Sequence, residues 1–217
     1  MTPIVYVDAH GAETILYAGC TETAAQAAIN SVPGRMQAKF NATGANILFV
    51  GSNNTLIPGT HTLSLSTSSS TYADALGSGD YNERNALSGR SGSVYITHIR
   101  NRLLDTYTRY LADEQEYSGM FDNFTFPLSV SDLVKVIVNV GCHETGHMLG
   151  LVSDALGGSE RHNMLPHSLF DPRHLMNSGT DVPFNFYFDV DMDGNEAIRY
   201  FYHINSAYLK WLLPKPQ

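Results

Sequence analysis

The length, composition and charge of the chain already exclude several classes of protein. With 217 residues, of which 43% are hydrophobic and 16% charged, the chain suits one globular domain. This balance excludes an intrinsically disordered chain or a coiled coil. Thirteen basic residues against 21 acidic ones give a formal net charge of −8, which argues against nucleic acid or an anionic membrane as the main partner.

Short β-branched runs and apolar residues at helical spacing predict alternating strands and helices in the first half of the chain. Pro33-Gly34 is expected to kink or split the first helix. The predicted elements are strand Ile4–Val7, helix Thr21–Phe40, strands Asn46–Val50 and Thr62–Leu65, a serine-rich and glycine-rich surface loop over residues 66–92, strand Ser93–Thr97 and helix Asn101–Tyr117.

The second half of the chain contains the strongest helix prediction, Ser129–Leu149, with Ser131 and Asp132 as capping residues. After Gly150 regular structure is expected to be sparse until a terminal helix over Asn195–Leu213. Strands interleaved with helices predict an α/β or α+β fold in a single domain, residues 1–217. The longest apolar run, Leu133–Cys142, is short and contains polar residues, so no membrane span is predicted.

The stretch His143-Glu144-Thr145-Gly146-His147 contains the candidate metal-binding and catalytic residues. Two histidines four residues apart lie on one face of a helix, where both imidazoles can reach one metal ion. Glu144 can point at a metal-bound water and accept its proton. Imidazole ligands favour zinc. The apolar turns that precede the motif argue against a merely solvated helix face.

The chain resembles the metzincin clan of zinc peptidases in two features. Gly150 follows the second histidine by three residues, and Met176 lies in the turn-prone stretch Arg173–Gly179. The resemblance implies His143 and His147 as zinc ligands, Glu144 as general base and Met176 in a turn beneath the metal. It also implies a twisted mixed sheet whose edge strand aligns the substrate, with two long helices above the cleft. Residues 1–150 would form an upper subdomain, and residues 151–217 an irregular lower one that contains the C-terminal helix.

The third zinc ligand is where the sequence departs from most of the clan. The expected histidine position is occupied by Ser153, a poor zinc ligand. Leishmanolysin-like members carry an insertion between the glycine and the third histidine, and Gly157-Gly158 gives such a loop freedom to turn back. We therefore predict His162 as the third ligand, with Asp154 and His167 as alternatives.

These features predict a zinc-dependent endopeptidase that cleaves a protein or peptide substrate and acts as a monomer. The alternatives are a catalytically silent, zinc-containing binding protein and a zinc hydrolase of a non-peptide amide. The resemblance suggests a secreted or extracellular protein, although the first twenty residues lack the pattern of a signal peptide.

Two other features of the sequence leave alternatives open. The acidic stretch 189–196 has oxygen spacing that opens a Ca²⁺ loop, but Tyr200 stands where an EF-hand needs glutamate, so an acidic turn is favoured over a calcium site. Cys20 and Cys142 do not form a disulfide framework, and two unpaired thiols are favoured over a bridge.

Overall fold

The computed structural model shows a mixed α/β protein with one five-stranded sheet and several helices. The residues that it describes are 2–12, 21–51, 58–67, 75–81, 89–102, 108, 129–151, 171–177, 184–189 and 196–213. The predicted α/β class is confirmed at this level.

The sheet contains four parallel strands and one antiparallel strand at its edge. Its strands are β1 (Ile4–Asp8), β2 (Leu48–Gly51), β3 (His61–Ser66), β4 (Gly77–Gly79) and β5 (Ser91–Tyr95), in the spatial order β2-β1-β3-β5-β4. Strand β4 pairs antiparallel with β5, and the other neighbours pair in parallel. Val5, Val7, Leu63 and Val94 are fully buried because alternate side chains of these strands face the helices and the core.

The helices follow the predicted order with changes at their ends. Among the described residues they are α1 (Glu22–Asn30), α2 (Val32–Asn41), α3 (residues 96–102 and 108), α4 (Val130–Met148), a 3-10 helix (Phe184–Phe188) and α5 (His203–Leu212). Most of the predicted helix Asn101–Tyr117 lies outside the described residues. The predicted split of the first helix is confirmed, but it occurs at Ser31, and Pro33 lies in the first turn of α2, where its missing N–H is not needed. No helix in the described ranges is long and apolar enough to cross a membrane.

Helix α4 is almost wholly buried and forms the centre of the molecule. It contacts β3, β4 and β5 on the sheet and packs against α1 and α2. Ser129, rather than Ser131, caps the helix: its hydroxyl accepts from the Asp132 backbone N–H, and the Asp132 carboxylate accepts from the Ser129 N–H, both at 3.2 Å. The expectation for Ser131 was therefore wrong, whereas Asp132 does take part in the cap.

Two predicted elements differ from the structure for identifiable reasons. The loop predicted over residues 66–92 contains β4, whose Gly-Ser-Gly sequence has no strand propensity and forms by pairing with β5. The terminal helix begins at His203 rather than at Asn195. Residues 196–200 instead run beside the 171–177 turn, joined to it by a bridge between His174 and Tyr200, and Ile198 is exposed.

Asp189 connects four parts of the fold. Its Oδ1 accepts from Lys39 Nζ at 3.2 Å, from Asn139 Nδ2 at 3.0 Å and from the Arg199 backbone N–H at 2.9 Å. These donors come from α2, α4 and the 196–200 segment, and Asp189 itself follows the 3-10 helix with a left-handed φ of 59°. Asp189, the first residue of the acidic stretch 189–196, thus has a structural role, and residues 190–195 lie outside the described part.

Replacing Asp189 should test this connection. We expect Asp189→Ala to lower the free energy of unfolding by about 3 kcal/mol, because it removes the counter-charge of a mostly buried lysine and an acceptor shared by three donors. Asp189→Asn keeps the acceptor oxygen and tolerates the left-handed backbone, so it should lose less. Urea unfolding measures both, and a loss under about 1 kcal/mol for the alanine variant would contradict the role.

Candidate metal centre

The last two turns of α4 bring the two motif histidines together as the spacing predicts. The Nε2 atoms of His143 and His147 lie 3.1 Å apart, with the rings edge to face. Two nitrogens at that separation subtend about 100° at an ion about 2.05 Å from each, which is close to tetrahedral. The pair is therefore placed to share one metal ion.

A contact outside the helix orients His143. Its Nδ1 lies 2.6 Å from the backbone carbonyl oxygen of Leu175. Because a carbonyl oxygen only accepts, Nδ1 donates and carries the proton, and in the neutral ring Nε2 keeps its lone pair for a metal. A second hydrogen bond of this kind is how proteins usually fix the tautomer of a metal-binding histidine.

Met176 lies directly beneath this part of α4. It is fully buried, and a Cβ atom added at Gly146 would overlap its Sδ and lie 3.0 Å from its Cε. Gly146, one residue before His147, thus lets the thioether pack against the helix backbone. The resemblance to metzincins implies a methionine in a turn beneath the motif, and Met176 packs against Gly146 of the motif.

Gly150 ends α4 immediately after the motif. Its φ is 81°, a left-handed value that glycine adopts without strain. The Gly150 N–H donates to the His147 carbonyl at 2.9 Å, and the Leu151 N–H donates to the Gly146 carbonyl at 2.9 Å. This is the Schellman pattern of helix ending. It turns the chain away just beyond His147, and the helix ends within one residue of the predicted Leu149.

The 171–177 turn that holds Leu175 and Met176 is supported by the segment that precedes α5. The Leu175 N–H donates to the Tyr200 carbonyl, and the Tyr200 N–H donates to the Arg173 carbonyl, both at 2.9 Å. Arg199, which is 1% exposed, donates from Nη2 to the His174 carbonyl at 2.9 Å. These three hydrogen bonds thus join the turn to this one segment.

His174 fills the space between the turn and this supporting segment. Its ring is buried and contacts the rings of Tyr200 and Tyr202. Burial lowers the pKa of His174, because the charged form loses water. Sequence reasoning did not assign roles to His174 or Arg199, since nothing in their spacing marks a buried contact between distant segments.

Glu144 lies on the sheet side of the same helix turn. Its side chain is buried against β4, and desolvation raises its pKa to about 8. Burial of a carboxylate is costly unless a cation or hydrogen bonds compensate. A divalent ion held by the adjacent histidines would supply that compensation, so the residues present fit zinc.

The third-ligand candidates cannot be placed against this pair. Asp154, His162 and His167 all lie outside the described residues, and within the described ranges no group of three or more His, Cys, Asp or Glu side chains gathers around one point. Cys142, which precedes His143, is a buried free thiol whose pKa burial raises to about 12. Cys20 lies outside the described part.

No protein-family model, curated protein or solved structure matches this chain. The interpretation of the site therefore depends on its own residues and their geometry.

We expect the purified protein to carry about one zinc ion per chain and His147→Ala to lose it, because the site then keeps only one of the two imidazoles that α4 supplies. His10→Ala, at an exposed histidine, serves as the matched control and should keep the metal. Elemental analysis after dialysis gives the content. Stoichiometric zinc in the His147 variant would place the metal elsewhere.

The choice of third ligand gives a separate prediction. His162→Ala should weaken zinc binding at least about 100-fold, whereas Asp154→Ala and His167→Ala should leave it nearly unchanged, because a three-histidine set completes the site. Competition with a chromogenic chelator measures the affinities. A severe loss in the Asp154 variant alone would make that carboxylate the ligand, and the same result for His167 would select that histidine.

Proposed function

We propose that this protein is a zinc-dependent endopeptidase of the metzincin type. The observation that carries the proposal is the convergence of His143 and His147 at 3.1 Å, with His143 oriented by Leu175 in the same turn that packs Met176 under the motif. Two ligand nitrogens, an adjacent carboxylate and a methionine turn beneath them agree with the resemblance drawn from the sequence.

His143 and His147 would hold the ion, with one further ligand predicted to be His162. When bound, zinc supplies Lewis-acid polarisation of the scissile carbonyl and lowers the pKa of water. Glu144 accepts a proton from the attacking water as its oxygen bonds to the carbonyl carbon. It then gives the proton to the amide nitrogen as the C–N bond breaks, so that the reaction adds one water across the peptide bond.

The fold offers a place for an extended substrate beside these groups. Among the described strands, β4 is the last in the order of the sheet, and it contacts α4, the helix that carries Glu144. A peptide that adds to an edge strand gains main-chain hydrogen bonds and lies in extended form. We propose that the substrate binds along β4, which would bring its backbone near the catalytic carboxylate.

Replacing Glu144 tests the reaction. Glu144→Ala and the isosteric Glu144→Gln should both keep zinc and lose turnover of a casein or gelatin substrate by at least about 100-fold, because each removes the proton acceptor. Lys135→Gln, at the far end of α4, is the matched control and should leave turnover unchanged. Near-normal turnover in either Glu144 variant would contradict the mechanism.

Digestion assays with the unsubstituted protein distinguish an endopeptidase from a binding protein and from a hydrolase of a non-peptide amide. An endopeptidase should digest casein, and a chelator should abolish the digestion. Zinc content without hydrolysis of casein or gelatin would refute the endopeptidase and leave a binding protein or a hydrolase of a non-peptide amide.

A further inference from the structure

Strand β4 has no side chain on the face that meets α4. A Cβ atom built at Gly77 would lie 2.6 Å from Glu144 Oε1, 2.7 Å from Glu144 Cγ and 2.8 Å from Val140 Cγ1. A Cβ atom built at Gly79 would lie 2.6 Å from the Glu144 backbone oxygen and 3.3 Å from Oε2. Ordinary carbon contacts are about 3.5 to 4.0 Å. The Glu144 side chain therefore occupies the space that a side chain at Gly77 would take, and the Glu144 backbone oxygen occupies that at Gly79.

Hydrogen bonds to β5 hold β4 in this position. The Tyr95 N–H donates to the Leu76 carbonyl at one end of β4, and the Asp80 N–H donates to the Ser91 carbonyl at the other, both at 2.8 Å. On the face opposite the glycines, Ser78 Oγ and Tyr95 Oη form a hydrogen bond of 2.8 Å. Strand β4 cannot move away from α4 without losing these bonds, so a group added at Gly77 must displace the Glu144 side chain.

We infer that Gly77 is a positioning residue for Glu144: its missing side chain forms the slot that directs the carboxylate. The inference rests on the proposed function in one respect. The direction of the carboxylate matters for catalysis only because Glu144 is proposed to be the proton acceptor. Gly77 acts through Glu144 and is not itself catalytic.

Gly79 has a different role although it lies only two residues away. Its close contact is with the backbone oxygen of Glu144, which any residue at position 144 would keep. A side chain at Gly79 must therefore separate the strand from the helix, whereas one at Gly77 meets mainly atoms of the Glu144 side chain. Substitutions at the two glycines should therefore change the stability differently when the Glu144 side chain is removed.

A double-mutant cycle on thermal stability separates these roles without relying on activity. Gly77→Ala should lower Tm by roughly 3 to 10 °C, the scale of an overpacked methyl group. In the Glu144→Ala background the same substitution should lower Tm by less than half as much, because the two shortest of its three nearest contacts, both with the Glu144 side chain, are lost. Gly79→Ala should lower Tm equally in both backgrounds.

Gly141→Ala is the matched control within α4. A Cβ atom there would lie 3.2 Å from side-chain atoms of Leu63 and Met36, away from Glu144. Its effect on Tm should be independent of the Glu144 background. Equal Tm losses for Gly77→Ala in the two backgrounds would overturn the inference.

Kinetics supply the second measurement. Gly77→Ala should lower kcat at least about tenfold and leave KM and zinc affinity within about twofold, because a displaced general base affects the chemical step. Unchanged kcat in Gly77→Ala, or a zinc affinity that falls in parallel with kcat, would overturn the positioning role. If the unsubstituted chain cleaves no peptide, the proposed function fails, and the Tm cycle still decides whether Gly77 places the Glu144 side chain.

Discussion

The hydrogen bond between His143 Nδ1 and the Leu175 carbonyl is the contact on which the candidate centre depends. It joins α4 to a turn 32 residues further along the chain and, at 2.6 Å, fixes both the tautomer and the direction of the imidazole. The turn has its own support, since Arg199 donates to the His174 carbonyl next to Leu175. The direction of the His143 side chain is therefore set by three segments that are distant in the sequence.

Close approach of a side chain to a glycine backbone is the second constraint, and it occurs on two faces of α4. Gly146 admits Met176 beneath the helix, and Gly77 admits the Glu144 side chain between the helix and β4. Both contacts bring large side chains to the turn that carries the histidines. The Glu144 side chain is buried, which makes its charged form costly without a cation and strengthens the electrostatic effect of one that binds. Metal binding and stability should accordingly be linked.

Local signals predicted the helix that contains the two histidines better than they predicted the segments around it. The i, i+4 histidines and Gly150 could be recognised because helix periodicity and helix ending are determined within a few residues. Strand β4 could not, because Gly-Ser-Gly has no strand propensity and forms only by pairing with β5. The buried role of Arg199 was also missed, because its contact with His174 depends on tertiary packing. The third ligand and the division at residue 150 stay predictions.

The position of β4 connects substrate alignment with the chemistry. Because side chains alternate along a strand, Gly77 and Gly79 face α4 while Ser78 faces Tyr95 on the opposite side. An extended peptide added to the outer edge of β4 would alternate in the same way, so that every second side chain pointed toward the α4 face. The strand that sets the register of such a peptide is also the strand against which Glu144 packs. In the proposed enzyme a shift of β4 would therefore displace the peptide and the general base together, and the hydrogen bonds to β5 that hold β4 would protect both.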